Sequence, residues 1–250
     1  MLLEGFPEEN EHSLTPLWIF LLLVTVFCGY AVTDMFLLLF DLQKKTFLLY
    51  RRLVYHTILI ISAITLSIFN RDGIKNNLAL RKFQNFKWII PVVGSILFSF
   101  SLASGQRCEV VDNGPSILEK LAVTLFPAIS EELLFRGWFL YAIYFDLGYL
   151  SSIILTSVIF AALHFSENNI VGLFLIFCFS LFWCKIRLST RTIFPTIICH
   201  ILQNYFNFLR KGNRPFLCQF PTFVSFSCWI LGVSFCVANE FIEDNDEKQF

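Results

Sequence analysis

Residues 121–145 read LAVTLFPAISEELLFRGWFLYAIYF, an apolar run that keeps Glu131, Glu132 and Arg136 within two turns of one helix. The run is longer than the roughly 20 apolar residues a helix needs to cross a bilayer. A carboxylate or guanidinium at bilayer depth costs roughly 2.5 to 3.5 kcal/mol on insertion scales, against a gain of about 0.3 to 0.6 per Leu, Ile, Phe or Val. Three such charges offset much of what the surrounding residues supply. Other parts of the protein must hold them, and charges kept at membrane depth are by default a functional site.

The rest of the chain is of the same kind. It has 250 residues, 56% hydrophobic and 15% charged, whereas soluble domains carry nearer a quarter of charged residues. Its 31 Phe residues exceed what one water-soluble core of this length would bury. The formal net charge is zero, and Lys and Arg gather in short links between apolar runs, so no basic stripe points to nucleic acid. Cys28, Cys178, Cys199, Cys228 and Cys236 lie inside apolar runs and read as small core hydrophobes. Cys108 and Cys218 fall near run ends, no C-x-x-C pair occurs, and the redox compartment stays open.

Apolar runs recur at residues 17–40, 54–69, 88–103, 117–145, 150–165, 170–186, 192–209 and 220–237. They predict an all-α, multi-pass membrane helical bundle of about eight transmembrane helices, integral to a membrane that the sequence does not name. Several runs sit at the short end of the roughly 17 to 25 residues required, so thin or tilted spans are expected. The N-terminus carries Glu4, Glu8, Glu9 and Glu11 without Lys or Arg, unlike a cleaved signal, so the first run is expected to stay. Positive charge nearly balances between alternate links, which leaves the orientation open. The tail NEFIEDNDEKQF is acidic and is expected to fray into water. Three regions follow: residues 1–115 with N-terminal transmembrane helices and no motif, 116–209 with the polar motifs, and 210–250 with a last helix and the acidic tail.

On a helix, residues four apart share a face, so Glu132 and Arg136 are placed to pair while Glu131 points about a quarter-turn away. That leaves Glu131 available as a general base. The competing reading is a buried ion network that serves conformation alone. Downstream, SSIILTSVIFAALHF places His164 four residues after Phe160, and TIFPTIICHILQNYFNFL places His200 four before Asn204. Each taken singly reads as an ordinary polar contact of the bundle. Together, two imidazoles, a carboxylate and a carboxamide on three helices form a set with a division of labour. Pro127 and Pro195 precede Glu131 and His200 by about one turn, where a bent axis and a freed carbonyl help to open a wet cavity. Ser130 lacks the glycine-flanked setting of a nucleophile elbow. Cys199 and His200, as helix neighbours, point about 100° apart and make no dyad.

The order EELLFR at 131–136, FAALH at 160–164 and HILQN at 200–204 resembles the CAAX-protease and bacteriocin-processing (CPBP, or Abi) family of intramembrane proteases, over about residues 116–209. The resemblance implies an endopeptidase in which Glu131 and His164 activate a water, His200 and Asn204 stabilise the oxyanion, and Glu132 and Arg136 support the site. It also implies a peptide or protein substrate reached from the lipid bilayer. No cofactor is expected; the alternative is a divalent metal such as zinc, with Glu131, His164 and His200 as ligands, although no H-E-x-x-H is present. Two other functions fit buried ionisable residues: a transporter or proton relay, and a non-catalytic member of the family that binds a peptide in the same cavity. Substrate identity lies beyond the sequence.

Overall fold

The structure is a computed structural model, and it describes residues 14–40, 44–69, 93–94, 117–165 and 170–210. All the elements among these residues are helical. In chain order they are α1 (Thr15–Leu37), α2 (Lys44–Phe69), α3 (Ile117–Glu132), a π-helical segment (Leu133–Phe139), α4 (Leu140–Ala162), α5 (Ile170–Thr190) and α6 (Phe194–Arg210). Four helices among the described residues are long and apolar enough to cross a membrane: Thr15–Leu37, Thr46–Phe69, Leu118–Ala162 and Gly172–Thr190. The protein is therefore an integral, multi-pass membrane protein. The run at 220–237, and nearly all of that at 88–103, lie outside the described residues, as do Cys108, Cys218, Cys228 and Cys236.

The third of these helices is 45 residues long, about 68 Å at α-helical rise and more than twice the hydrocarbon thickness. It is two passes. Gly148, with φ 75° and ψ −178°, stands in a region that is essentially glycine-only and breaks the helix. Beyond it the chain returns alongside its own earlier turns, since the Phe160 ring meets that of Phe135 edge-on with centroids 5.0 Å apart. The interruption falls between the runs at 117–145 and 150–165.

Two helices are longer than their apolar runs. α2 begins at Lys44 rather than near residue 54, so Arg51 is helical and is held by both carboxylate oxygens of Asp34 on α1. α5 continues to Thr190, and Arg187 is not in a link but wholly buried, its guanidinium 4.5 Å from the centre of the Tyr141 ring. A long side chain that packs its charge on an aromatic face is compatible with burial that a hydropathy reading assigns to solvent.

Two compact units divide the described chain. One contains α1, α2, residues 129–165 and 170–194. The other contains residues 117–128 and 195–210. In the first, α1 and α2 run antiparallel. Pro16 starts α1 where its missing N–H costs nothing, and the buried seam Leu22, Val26, Gly29, Thr33 and Leu37 recurs every three or four residues. Phe20, Phe27 and Met35 on other sides of α1 are exposed, as lipid-facing residues should be; Cys28 is exposed too, not a core residue. Gly29 lets the helices approach closely: a Cβ there would stand 3.3 Å from Cε2 of Tyr55. Tyr55 stacks on Tyr30 with ring centroids 3.9 Å apart. At the other end of α1, the Thr15 hydroxyl donates to Asp146 at 3.0 Å, and Trp18 meets Trp138 edge-on. The core of this unit is built around Leu140, Ile153 and Cys184, with Leu181 and Leu188 packed against them.

Candidate active site

Glu131 ends α3 on the turn before the π segment, and His164 stands in the turn just after α4. The hairpin at Gly148 brings them together: Nε2 of His164 lies 3.7 Å from Oε2 of Glu131, with the side chains 27% and 16% exposed. That separation exceeds a hydrogen bond. It allows one small molecule to touch both groups. The His164 ring is oriented from the other side, because Nδ1–H donates to the Phe160 carbonyl at 2.8 Å and the ring packs on that of Phe160 with centroids 4.7 Å apart. A carbonyl only accepts, so Nδ1 carries the proton and Nε2 is left facing the carboxylate. The F-x-x-x-H spacing has this physical content: the fourth residue back supplies both the ring and the acceptor.

Glu132 and Arg136 are wholly buried and pair one turn apart, Nη1 donating to Oε1 at 3.0 Å. The guanidinium also donates from Nη2 to Ser180 Oγ on α5 at 2.7 Å. Its plane is flanked by aromatic rings, with the Phe160 centroid at 4.1 Å and that of Trp183 at 5.3 Å. Phe160 therefore joins the two halves of the site, orienting His164 with its carbonyl and cradling Arg136 with its ring. The π-helical segment follows directly on Glu132, and such π turns are frequent at functional sites.

His200 and Asn204 belong to the other unit. They lie one turn apart on α6, His200 buried and Asn204 half-buried. The Asn204 amide donates to the Thr124 carbonyl at 3.4 Å, a long and weak bond. Among the described residues no group of three or more His, Cys, Asp or Glu side chains is arranged to hold a metal ion.

Sequence reasoning passed over several residues that the structure places here. Ser180 is a lone serine in FCFSLFW, and only the arrival of Arg136 gives it a role. His56 on α2 lies 2.7 Å by its Nδ1 from Oγ of Ser130, the residue before Glu131. A histidine inside an apolar run was the available signal for it.

No curated protein matches the chain. No solved structure matches it either. A family model does: the one described as type II CAAX prenyl endopeptidase Rce1-like covers residues 113–206. That segment holds Glu131, Glu132, Arg136, His164, His200 and Asn204, and over it the chain is similar to the CAAX-type prenyl endopeptidases that the model describes.

Proposed function

We propose that this protein is an endopeptidase that hydrolyses a peptide bond with a water activated by Glu131 and His164, forming no covalent intermediate. The observation that carries this reading is the 3.7 Å approach of His164 Nε2 to Glu131 Oε2, with Nδ1 already committed to the Phe160 carbonyl. A water held between the two loses a proton to the Glu131 carboxylate as its oxygen attacks the substrate carbonyl. His164 fixes that water through Nε2. The proton taken up by Glu131 then passes to the leaving amine, which breaks the peptide bond and restores the carboxylate. His200 and Asn204 are the proposed donors to the oxyanion, a role that needs groups aimed at the developing charge. Glu132 and Arg136 hold the turn on which Glu131 sits. In this reading the Glu131–His164 pair supplies the base without a metal.

Prenylated peptides ending in a C-a-a-X sequence are the substrate class to test first, since the matching family model is described as a prenyl endopeptidase. The test uses purified full-length protein in lipid nanodiscs and a farnesylated peptide of that type, with and without a strong chelator. Wild-type protein should release the last three residues at the same rate in both. Glu131→Gln and His164→Ala should each lower kcat by about a hundredfold or more, the range for loss of general acid–base catalysis, while both variants stay folded. Cleavage that survives Glu131→Gln would end the proposal, and a rate that collapses with chelator would replace the base with a metal site.

A further inference from the structure

The match to the family begins at residue 113, yet α2, far upstream, lies against the turn that presents Glu131. The imidazole of His56 is buried there, its Nδ1 2.7 Å from the hydroxyl of Ser130, which is itself wholly buried. An imidazole removed from water in a membrane helix is costly without a partner. Several hydroxyls in this chain turn back onto their own helix: Thr33, Ser67, Thr124 and Thr190 each donate to the carbonyl four residues earlier. Ser130 reaches across to another helix. Neighbouring residues of a helix project about 100° apart, so a bond on the Ser130 side fixes the rotation of the turn and with it the direction of Glu131. The anchor itself is held firmly, because Tyr55, next to His56, stacks on Tyr30 and its ring packs edge-on to the imidazole.

We propose that His56 is a positioning residue for Glu131, acting through Ser130 to aim the carboxylate at His164. The proposal rests on the reading of Glu131 and His164 as the water-activating pair. His56 touches no reacting atom. Its contribution is that a helix without family motifs sets the geometry of the pair, and a misplacement of about 1 Å in such a pair can cost a hundredfold in rate.

Two readouts separate failure of this proposal from failure of the enzymatic reading. In the first, Glu131 of the full-length protein in nanodiscs is modified with dicyclohexylcarbodiimide and the adduct is quantified by mass spectrometry, which needs no activity. His56→Ala and Ser130→Ala should each change the labelling rate of Glu131 by about threefold or more, the lower range for coupling between contacting residues. The double variant should add nothing further, and His56→Asn, which keeps a polar atom near the Nδ1 position, should restore the wild-type rate. In the second readout, on the farnesylated peptide, the Ala variants should lose roughly 10- to 100-fold in kcat with KM little changed, and His56→Asn should recover most of it. A purely structural role would lower the melting temperature without this split. Equal labelling across wild type and variants, including none at all, overturns the proposal, as does a double variant whose effect is the product of the two singles. An inactive wild type with the expected labelling pattern sinks the protease reading and leaves His56 as the anchor of Glu131. If His56→Ala does not fold, Ser130→Ala and His56→Asn decide the question.

Discussion

Arg136 satisfies three neighbours with one planar guanidinium: Glu132 and Ser180 in its plane, and the Phe160 ring on its face. A lysine offers a point charge and no plane, so Arg136→Lys should not be conservative here. Removing the charge altogether leaves Glu132 buried and unbalanced. Arg136→Met should therefore cost roughly 3 to 5 kcal/mol, the range for breaking one side of a buried pair, and adding Glu132→Gln should recover most of it. Thermal unfolding in detergent measures both; equal stability of the single and double variants would show that the pair is not coupled. The Glu132–Arg136 pair was legible in the sequence because four residues on a helix is a local rule. The approach of Glu131 to His164 was anticipated only as a convergence of motifs, since its distance depends on the hairpin at Gly148. Ser180 and His56 were not legible, for the same reason: one polar atom in an apolar run acquires meaning when another helix brings its partner.

At the scale of elements, two glycines hold the architecture for different reasons. Gly148 is needed for its backbone, since a Cβ there meets nothing within 4 Å while φ stands at +75°. Gly148→Ala and Gly148→Leu should thus cost about the same, roughly 1 to 3 kcal/mol of conformational strain. Gly29 is needed for space, with Tyr55 at 3.3 Å from where a Cβ would stand and Ile58 at 3.7 Å. Substitution there should scale with size: Gly29→Leu should destabilise by about 1 to 3 kcal/mol through overpacking, and Gly29→Ala by clearly less. Unfolding midpoints of the four variants separate the two cases, and a size dependence at Gly148 with none at Gly29 would reverse the assignment. The break at Gly148 could be read from the sequence as the gap between two apolar runs. The helix ends could not, because Arg51 and Arg187 mark a boundary by hydropathy and are kept inside by Asp34 and Tyr141. The π segment has no hydropathy signature either, and nothing in LLFRGWF marks it.

At the scale of the unit that carries Glu131, the height of the site along the bundle follows from its own helices. Thr15 and Asp146 touch at the end of the unit where Gly148 turns the chain. From that end, α1 climbs about 21 Å to Gly29, which stands against Tyr55, the neighbour of His56. The return arm from Tyr149 to His164 climbs about 22 Å. Both routes reach the Glu131 neighbourhood at the same height, in a hydrocarbon core of about 30 Å. A bilayer matched to the length of α1 would place the pair nearer the end where α1 passes into α2 than the end at Thr15. The consequence is testable by side-specific labelling in sealed vesicles with a membrane-impermeant maleimide, in a background where Cys28, Cys108, Cys178, Cys184, Cys199, Cys218, Cys228 and Cys236 are replaced. A cysteine at His164 should react from the same side as one at Leu39, which is exposed beyond α1, and a cysteine at Leu150 should react from the other side. Reaction of the His164 position from the Leu150 side would invert the height, and would move the entry path for the substrate to the opposite face of the membrane.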